Sequence, residues 1–264
     1  MHEILGYFSA LLIGITLGLI GGGGSILTVP VLVYILGVNP VLATAYSLFI
    51  VGTTALVGAF KNGIQGTIDY KTGFVFAVPS FIAVYFTRRV LLNAIPQEIL
   101  SLNNFVLTKN TAIMLFFALV MLMASISMIK GRKTSVEKSK RVFNYPVIIA
   151  EGLFVGLVTG LVGAGGGFLI IPALVLLVGL PMRKAVGTSL MIIALKSLIG
   201  FTGDLSSGLQ INWNLLLVFS SLSVLGILIG SYVSKFIEGA RLKKVFGYFV
   251  LSMAIIVILK ELIL

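Results

Sequence analysis

The stretch GGGGSILTVP, residues 21–30, interrupts an apolar run that extends over Ile4–Leu36. A glycine inside a helix costs about 1 kcal/mol relative to alanine, so four in succession predict a break in the helix. The run has a charge-free interior, which favours a membrane environment. A helix break inside a membrane leaves backbone groups that protein or a water-filled cavity must satisfy. The sequence thus predicts exposed backbone donors at this break.

The whole composition is that of a polytopic membrane protein. The mean hydropathy is +1.15, and only 10 % of the residues are charged, against roughly 25 % in a soluble domain. The net charge of +11 comes from basic residues that lie mostly in short loops, where they set topology, so we predict no nucleic-acid partner. Further apolar runs that could span a bilayer, or nearly so, are 41–60, 73–87, 111–129, 147–178, 185–203, 213–234 and 245–259.

The residues available for chemistry argue against an enzyme. The only histidine is His2, and the chain has no cysteine, so neither a Ser–His pair nor a metal site can be assembled. The glycine clusters lack the Gly-Lys-Ser/Thr of a P-loop and are flanked by membrane helices. We therefore predict no enzymatic activity, no cofactor and no metal.

The sequence contains an internal repeat. An offset of 142 residues aligns 14–37 with 156–179, and eleven of these 24 positions are identical, six of them glycine and one proline. Duplicated apolar segments interrupted by glycine and proline are typical of secondary transporters. We predict a first repeat at 1–130, a basic cytoplasmic linker at 131–141 and a second repeat at 142–264.

These motifs resemble the sulfite exporter TauE/SafE family of bacterial and archaeal membrane transporters. The resemblance rests on the two glycine clusters followed by proline, on ATAYSL (43–48) and VGTSLM (186–191), and on the turns GTIDY (66–70) and LQINW (209–213). It implies a transporter, and more specifically an exporter, of sulfur-containing anions such as sulfite or organosulfonates in the inner membrane. The implied partners are a small anionic substrate and the lipid bilayer, and the oligomeric state stays open.

Charge predicts the topology. Each glycine-containing run is too long for one span and short for two, which favours a re-entrant hairpin. With hairpins, one face collects fourteen Lys and Arg residues and the other keeps four, whereas single crossings give nine on each face and no orientation. We predict an all-α polytopic protein of two inverted repeats, each with a glycine-broken hairpin followed by three transmembrane helices, with both termini outside. The four cations assigned to the outer face are Arg88, Arg89, Lys109 and Lys260.

Inversion would bring the two glycine tips together near the midplane. Half-helices are predicted to start at Ser25–Ile26 and Gly167–Phe168, and helix N-termini attract anions. Hydroxyl groups on the following helices and one intramembrane lysine would complete an anion site. The predicted substrate-binding residues are Gly22, Gly23, Gly24, Ser25, Thr44, Ser47, Gly165, Gly166, Gly167, Thr188, Ser189 and Lys196.

Each assignment has a structural alternative. The spaced glycines suit close helix packing, and the hydroxyl groups can bond back to their own helix. Lys196 can snorkel outward, and Glu151, the candidate for coupling, can reach the interface. For the protein as a whole, a passive anion channel is the alternative to a secondary transporter.

Overall fold

The computed structural model describes residues 2–102, 105–130, 145–176, 178–206, 208–234, 236 and 239–263. The predicted linker 131–141 lies outside these residues. The first half contains α1 (His2–Ile20), a 3-10 helix (Gly22–Leu27), α2 (Thr28–Pro30), a π-helical turn (Val31–Ile35), α3 (Pro40–Ile64), α4 (Tyr70–Phe86), a second π-helical turn (Thr87–Leu91), α5 (Leu92–Ala94), β1 (Glu98–Leu102), β2 (Phe105–Thr108) and α6 (Lys109–Lys130). The second half contains α7 (Tyr145–Val162), α8 (Gly167–Leu176), α9 (Met182–Leu205), α10 (Trp213–Val233) and α11 (Gly239–Ile263).

The fold is that of an all-α polytopic membrane protein. Six helices of the described chain are long and apolar enough to cross a membrane, and large apolar side chains such as Phe60 and Phe236 are 73 % exposed. Such exposure is costly in water and natural in lipid. The antiparallel β1–β2 hairpin is an addition that the apolar periodicity did not predict.

Both glycine clusters break their helices. α1 ends at Ile20, and Gly21 has φ +74°, a conformation that few residues other than glycine adopt. In the second half, α8 begins at Gly167, the predicted position. The predicted start at Ser25 in the first half is wrong, because a tighter 3-10 helix already begins at Gly22.

Glycines set the contacts between the two halves. On α1, a Cβ added at Gly18 would lie 2.6 Å from the Ile227 carbonyl oxygen of α10, and Gly14 lies against Ser223 one turn earlier. Because the contacts advance together along both helices, α1 and α10 run parallel. Pairs of small residues allow this close approach of membrane helices.

The same packing recurs between α7 and α4. A Cβ at Gly152 would lie 2.7 Å from the Phe76 carbonyl oxygen, and one at Gly160 would lie 2.7 Å from Thr87 Cβ, so α7 and α4 are also parallel. The first helix of each half, α1 or α7, thus packs against a helix of the other half, α10 or α4, respectively. The spaced glycines serve packing, as their structural alternative predicted.

The counterpart helices α3 and α9 run in opposite directions. Gly52 contacts Leu198, whereas Gly58, further along α3, contacts Leu190, earlier on α9. Gly58 also contacts Ile227 of α10, and the Tyr46 hydroxyl meets Asn212 before that helix, so α3 and α10 are parallel. Since α1 is parallel to α10, α1 and α3 point the same way, and the segment between them returns to the side where α1 begins.

Two cations assigned to the outer loops lie inside the protein instead, which corrects the charge count. Arg88 is 1 % exposed, and Lys109 is 6 % exposed with its ammonium donating to the Leu92 carbonyl. The π-helical turn after α4 carries Arg88 inward, and α6 begins at Lys109 against α5. The face that the sequence assigns to the outside therefore carries even fewer free cations than predicted.

The opposed directions of α3 and α9 predict that matched turns lie on opposite membrane faces. Gln65 follows α3 and Gln210 follows α9, both are exposed, and the chain has no cysteine to interfere. In intact cells, an impermeant thiol reagent should label Gln210→Cys and leave Gln65→Cys unlabelled until the membrane is opened. Labelling of both from the same face would contradict the inverted arrangement.

Candidate functional site

The two glycine tips meet in the interior. Gly22 of the first tip and Gly167 of the second are packed so closely that a Cβ on either would overlap the other's Cα. A Cβ on Gly165 would lie 3.2 Å from Ser25 Cβ, so Ser25 borders the second tip as well. Gly24 packs against α1, where a Cβ would lie 2.5 Å from the Leu17 nitrogen. The structure therefore brings the predicted tips together.

The second tip retains backbone donors. The Gly163 N–H donates to the Thr159 carbonyl at 2.8 Å, and the Gly166 N–H donates to the Ala164 carbonyl at 2.6 Å. No acceptor bonds the N–H groups of Gly167 and Phe168 in the part of the chain that the structure describes. The first N–H groups of a helix have no partner within that helix, and these two donors lie at the start of α8.

Lys196 lies at the second tip and does not snorkel outward. Its side chain is completely buried, and its ammonium donates to Thr159 Oγ1 at 2.8 Å. A Cβ on Gly166 would lie 2.8 Å from Lys196 Nζ. No carboxylate forms an ion pair with Lys196 among the described residues. An unpaired ammonium is costly in this environment, and an anion would relieve that cost.

A second buried cation borders the same tip, and the sequence analysis missed it. Arg88 NH1 donates to Thr44 Oγ1 at 2.9 Å, and Arg88 Nε lies 3.1 Å from Asp204 Oδ2. Thr44 packs against Gly163, where a Cβ would lie 2.5 Å from Thr44 Cα. The predicted residue Thr44 therefore reaches the second tip, but it does so as a partner of Arg88.

The other predicted hydroxyl residues divide into two groups. Ser25 and Ser189 donate to carbonyls three residues earlier, as the back-bonding alternative predicted. Ser47 is buried, and its hydroxyl makes no hydrogen bond within the described residues. Thr188 accepts from the Asp69 N–H at 2.9 Å, at the turn before α4 and away from the tips.

Glu151 does not reach the tips. It lies on α7 twelve residues before Gly163, which corresponds to about 18 Å of helix. Its side chain is half-buried, and Oε2 lacks a hydrogen bond within the described residues. Any coupling role of Glu151 would therefore be exerted from the first half of α7 and not by contact with a ligand at the tips.

A signal for the missed residues is present in the internal repeat. At the 142-residue offset, Lys196 aligns with Thr54 and Thr159 with Leu17. Arg88 corresponds to Ser231, because α4 and α10 are offset by 143 residues. The chemically distinctive residues at the second tip are thus positions where the two halves differ. The identities that the two halves share do not reveal these residues, whereas the differences between the halves do.

Broken membrane helices that meet in the interior are typical of membrane transporters, and the comparisons with known proteins indicate this class and not an enzyme. The model of the sulfite exporter TauE/SafE family matches residues 7–257, and the chain belongs to this family. The sequence resemblance is confirmed.

Known relatives agree with this class. The chain is 29 % identical over 253 residues to a "Probable membrane transporter protein" of Xylella fastidiosa (strain Temecula1), covering 94 % of this chain and 91 % of the relative. It is 29 % identical over 227 residues to the "Probable membrane transporter protein YunE" of Bacillus subtilis, covering 77 % and 78 %. It is 36 % identical over 116 residues to the "Probable membrane transporter protein MJ0441" of Methanocaldococcus jannaschii, covering 42 % and 43 %. No solved structure matches significantly.

Close packing at the second tip predicts a large cost for any side chain there. Gly166 and Gly179 both have φ +70°, but a Cβ at Gly166 would collide with Thr159, whereas nothing lies within 4 Å of one at Gly179. Both alanine variants bear the backbone strain of about 1–2 kcal/mol. Gly166→Ala should lose about 1–3 kcal/mol more through overpacking. Thermal unfolding in detergent checks this, and equal Tm values for the two variants would contradict it.

Proposed function

We propose that the protein is a secondary transporter, acting as an exporter, of small sulfur-containing anions such as sulfite or organosulfonates. The anion binds near the midplane, where the two glycine tips meet. The observation that carries the proposal is the unpaired, buried Lys196 at a tip whose Gly167 and Phe168 N–H groups lack acceptors among the described residues. Backbone donors at a helix N-terminus and a lysine together favour an oxyanion.

The proposal includes two inverted repeats in the inner membrane, with the 131–141 linker in the cytoplasm and both termini outside. The opposite directions of α3 and α9 support the inversion, because these helices are counterparts in the repeat. The parallel pairs α1–α10 and α7–α4 support the inversion further. α1 is the counterpart of α7 and α10 is the counterpart of α4, so the same contact occurs twice in the symmetric arrangement. In inverted repeats the binding site lies at the repeat interface.

A pair of matched hydrogen bonds favours a transporter over a channel. Tyr46 and Thr188 are counterparts at the 142-residue offset, and each hydroxyl accepts a backbone N–H from the N-cap of a helix in the other half. The donors are Asn212, at 2.6 Å from the Tyr46 hydroxyl, and Asp69, at 2.9 Å from Thr188. In inverted repeats these contacts lie on opposite sides of the tips. They have the properties of two gates, of which a transporter opens one at a time.

Transport can be tested directly on the purified protein in proteoliposomes. Solid-supported membrane electrophysiology should record transport currents or exchange with sodium sulfite and sodium methanesulfonate. Sodium gluconate at the same ionic strength should give no response. Protein-free liposomes serve as the control. The absence of a response to every sulfur oxyanion, from a protein that remains folded, would contradict the proposed function.

Lys196→Met should weaken anion binding at least tenfold, about 1.4 kcal/mol. Methionine retains most of the buried aliphatic length and removes the ammonium with its hydrogen bond to Thr159, so the helix packing should survive. The measurement is the concentration dependence of the transport current, with Lys244→Met as the control because Lys244 is exposed. An unchanged affinity in a folded Lys196→Met protein would remove Lys196 from the site.

The gate hydrogen bonds predict opposite effects of two matched variants. Tyr46→Phe should loosen the outer gate, and Thr188→Val the cytoplasmic gate, because each removes one acceptor and little volume. Buried Ser47 and Ser189, replaced by cysteine, report access. An impermeant thiol reagent should modify Ser47→Cys faster from outside in the Tyr46→Phe protein, and Ser189→Cys faster from inside in the Thr188→Val protein. Equal acceleration from both sides in either protein would favour the channel.

A further inference from the structure

Arg88 has more hydrogen-bonding capacity than the protein uses. Its side chain is completely buried, yet NH2 makes no hydrogen bond to any residue that the structure describes. A guanidinium presents five N–H donors in a fixed fork that suits the oxygens of carboxylates, phosphates and similar oxyanions. Burying such a group with a donor unused is costly, which indicates a ligand as the missing partner.

Arg88 and Lys196 border the same short turn. Arg88 reaches it through Thr44, which packs on Gly163, and Lys196 lies beside Gly166. These two glycines are three residues apart, so their Cα atoms are separated by at most about 11 Å. Thr87, adjacent to Arg88, also packs on Gly160 at the end of α7. Two cations and the free N–H groups of the second tip are thus gathered around one turn.

The charges near this turn do not balance. Arg88, Lys196 and Asp204 are exposed by only 1 %, 0 % and 1 %, respectively. Asp204 pairs with Arg88, and no described carboxylate pairs with Lys196. The three side chains therefore carry one net positive charge when ionised. A buried net charge is strongly unfavourable, and a single negative charge on a ligand would neutralise it.

The internal repeat supports a site at the second tip only. The counterparts of Lys196 and Asp204 at the 142-residue offset are Thr54 and Asn62, and the counterpart of Arg88 is Ser231, because α4 and α10 are offset by one residue more; none of the three is charged. A purely structural ion network would be expected at both tips of a duplicated fold. The three charged residues instead break the repeat together, as expected for a binding function added to one half.

We propose that Arg88 is a substrate-binding residue and that Asp204, its resident counter-ion, makes the site select monovalent oxyanions over divalent ones. This inference rests on the proposed anion transport and specifies the substrate's charge. Arg88 and Lys196 hold the oxygens of the anion together with the Gly167 and Phe168 N–H groups. Asp204 cancels one of the two cationic charges, so that one negative charge, as on a sulfonate or hydrogen sulfite, completes neutrality. A dianion such as sulfate leaves one negative charge uncompensated in a buried site.

The test measures binding of methanesulfonate and of sulfate to the detergent-purified full-length protein by isothermal titration calorimetry. The wild-type protein should prefer methanesulfonate. Asp204→Asn raises the net charge of the site to two positive charges, so the ratio of sulfate to methanesulfonate affinity should rise at least tenfold. A folded Asp204→Asn protein with an unchanged ratio would overturn the proposal.

A second variant keeps the test decisive if the single substitutions fail to fold. Arg88→Gln combined with Asp204→Asn removes both members of the ion pair, so neither is left as an uncompensated charge, and the net charge of the site is unchanged. The double variant should lose at least tenfold in methanesulfonate affinity. Arg89→Gln is the matched control, because Arg89 is exposed and its NH1 bonds the Tyr85 hydroxyl. Wild-type affinity in the double variant would overturn the role of Arg88 and leave the proposed function standing. Failure of the wild-type protein to bind methanesulfonate, sulfate and also sulfite would overturn both.

Discussion

The need to satisfy backbone groups inside a membrane constrains this fold more than any other requirement. Each glycine cluster ends a helix in the interior, where lipid offers no hydrogen bonds. The structure places each break against the other, with Gly22 on Gly167, so that protein covers both. Any side chain would separate them, which explains glycine at both positions. The long packing of α1 on α10 and of α7 on α4 then holds the two breaks in contact.

The helix breaks supply backbone N–H donors. Because the protein interior has a low dielectric constant, charged groups near the breaks have a large effect there. Electrostatic interactions strengthen as water is excluded, so one ammonium at the second tip acts on a ligand far more strongly than it would on a surface. The two halves share their glycines and proline but differ in charge, since Lys196 corresponds to Thr54. The residues shared by both halves therefore form the closely packed tips, whereas the buried charge at the second tip is a position where the halves differ.

The sequence predicted the elements whose causes are local. Consecutive glycines break a helix wherever they occur, so the ends of α1 and α7 and the start of α8 were predictable. The burial of Arg88 was not predictable, because a cation just after an apolar run looks like an ordinary loop residue until its partners are known. Those partners, Thr44 and Asp204, lie 44 and 116 residues away in the chain. The burial of Lys196 was predictable from its place within an apolar run, but its contact with Thr159 was not.

In the proposed site, the Asp204 carboxylate beside Arg88 would reconcile two demands on a transporter. The site must attract an anion into a buried position and must also release it, and two uncompensated cations would hold it too tightly. Asp204 leaves Arg88 its geometry, the fixed fork of donors, while it cancels most of the long-range attraction of that charge. The remaining field is that of Lys196 and the start of α8, which is sufficient for entry. Under the proposed mechanism, release would require separating the anion from only one net charge. Opening of the proposed gate between Tyr46 and Asn212 would lower that barrier by admitting water.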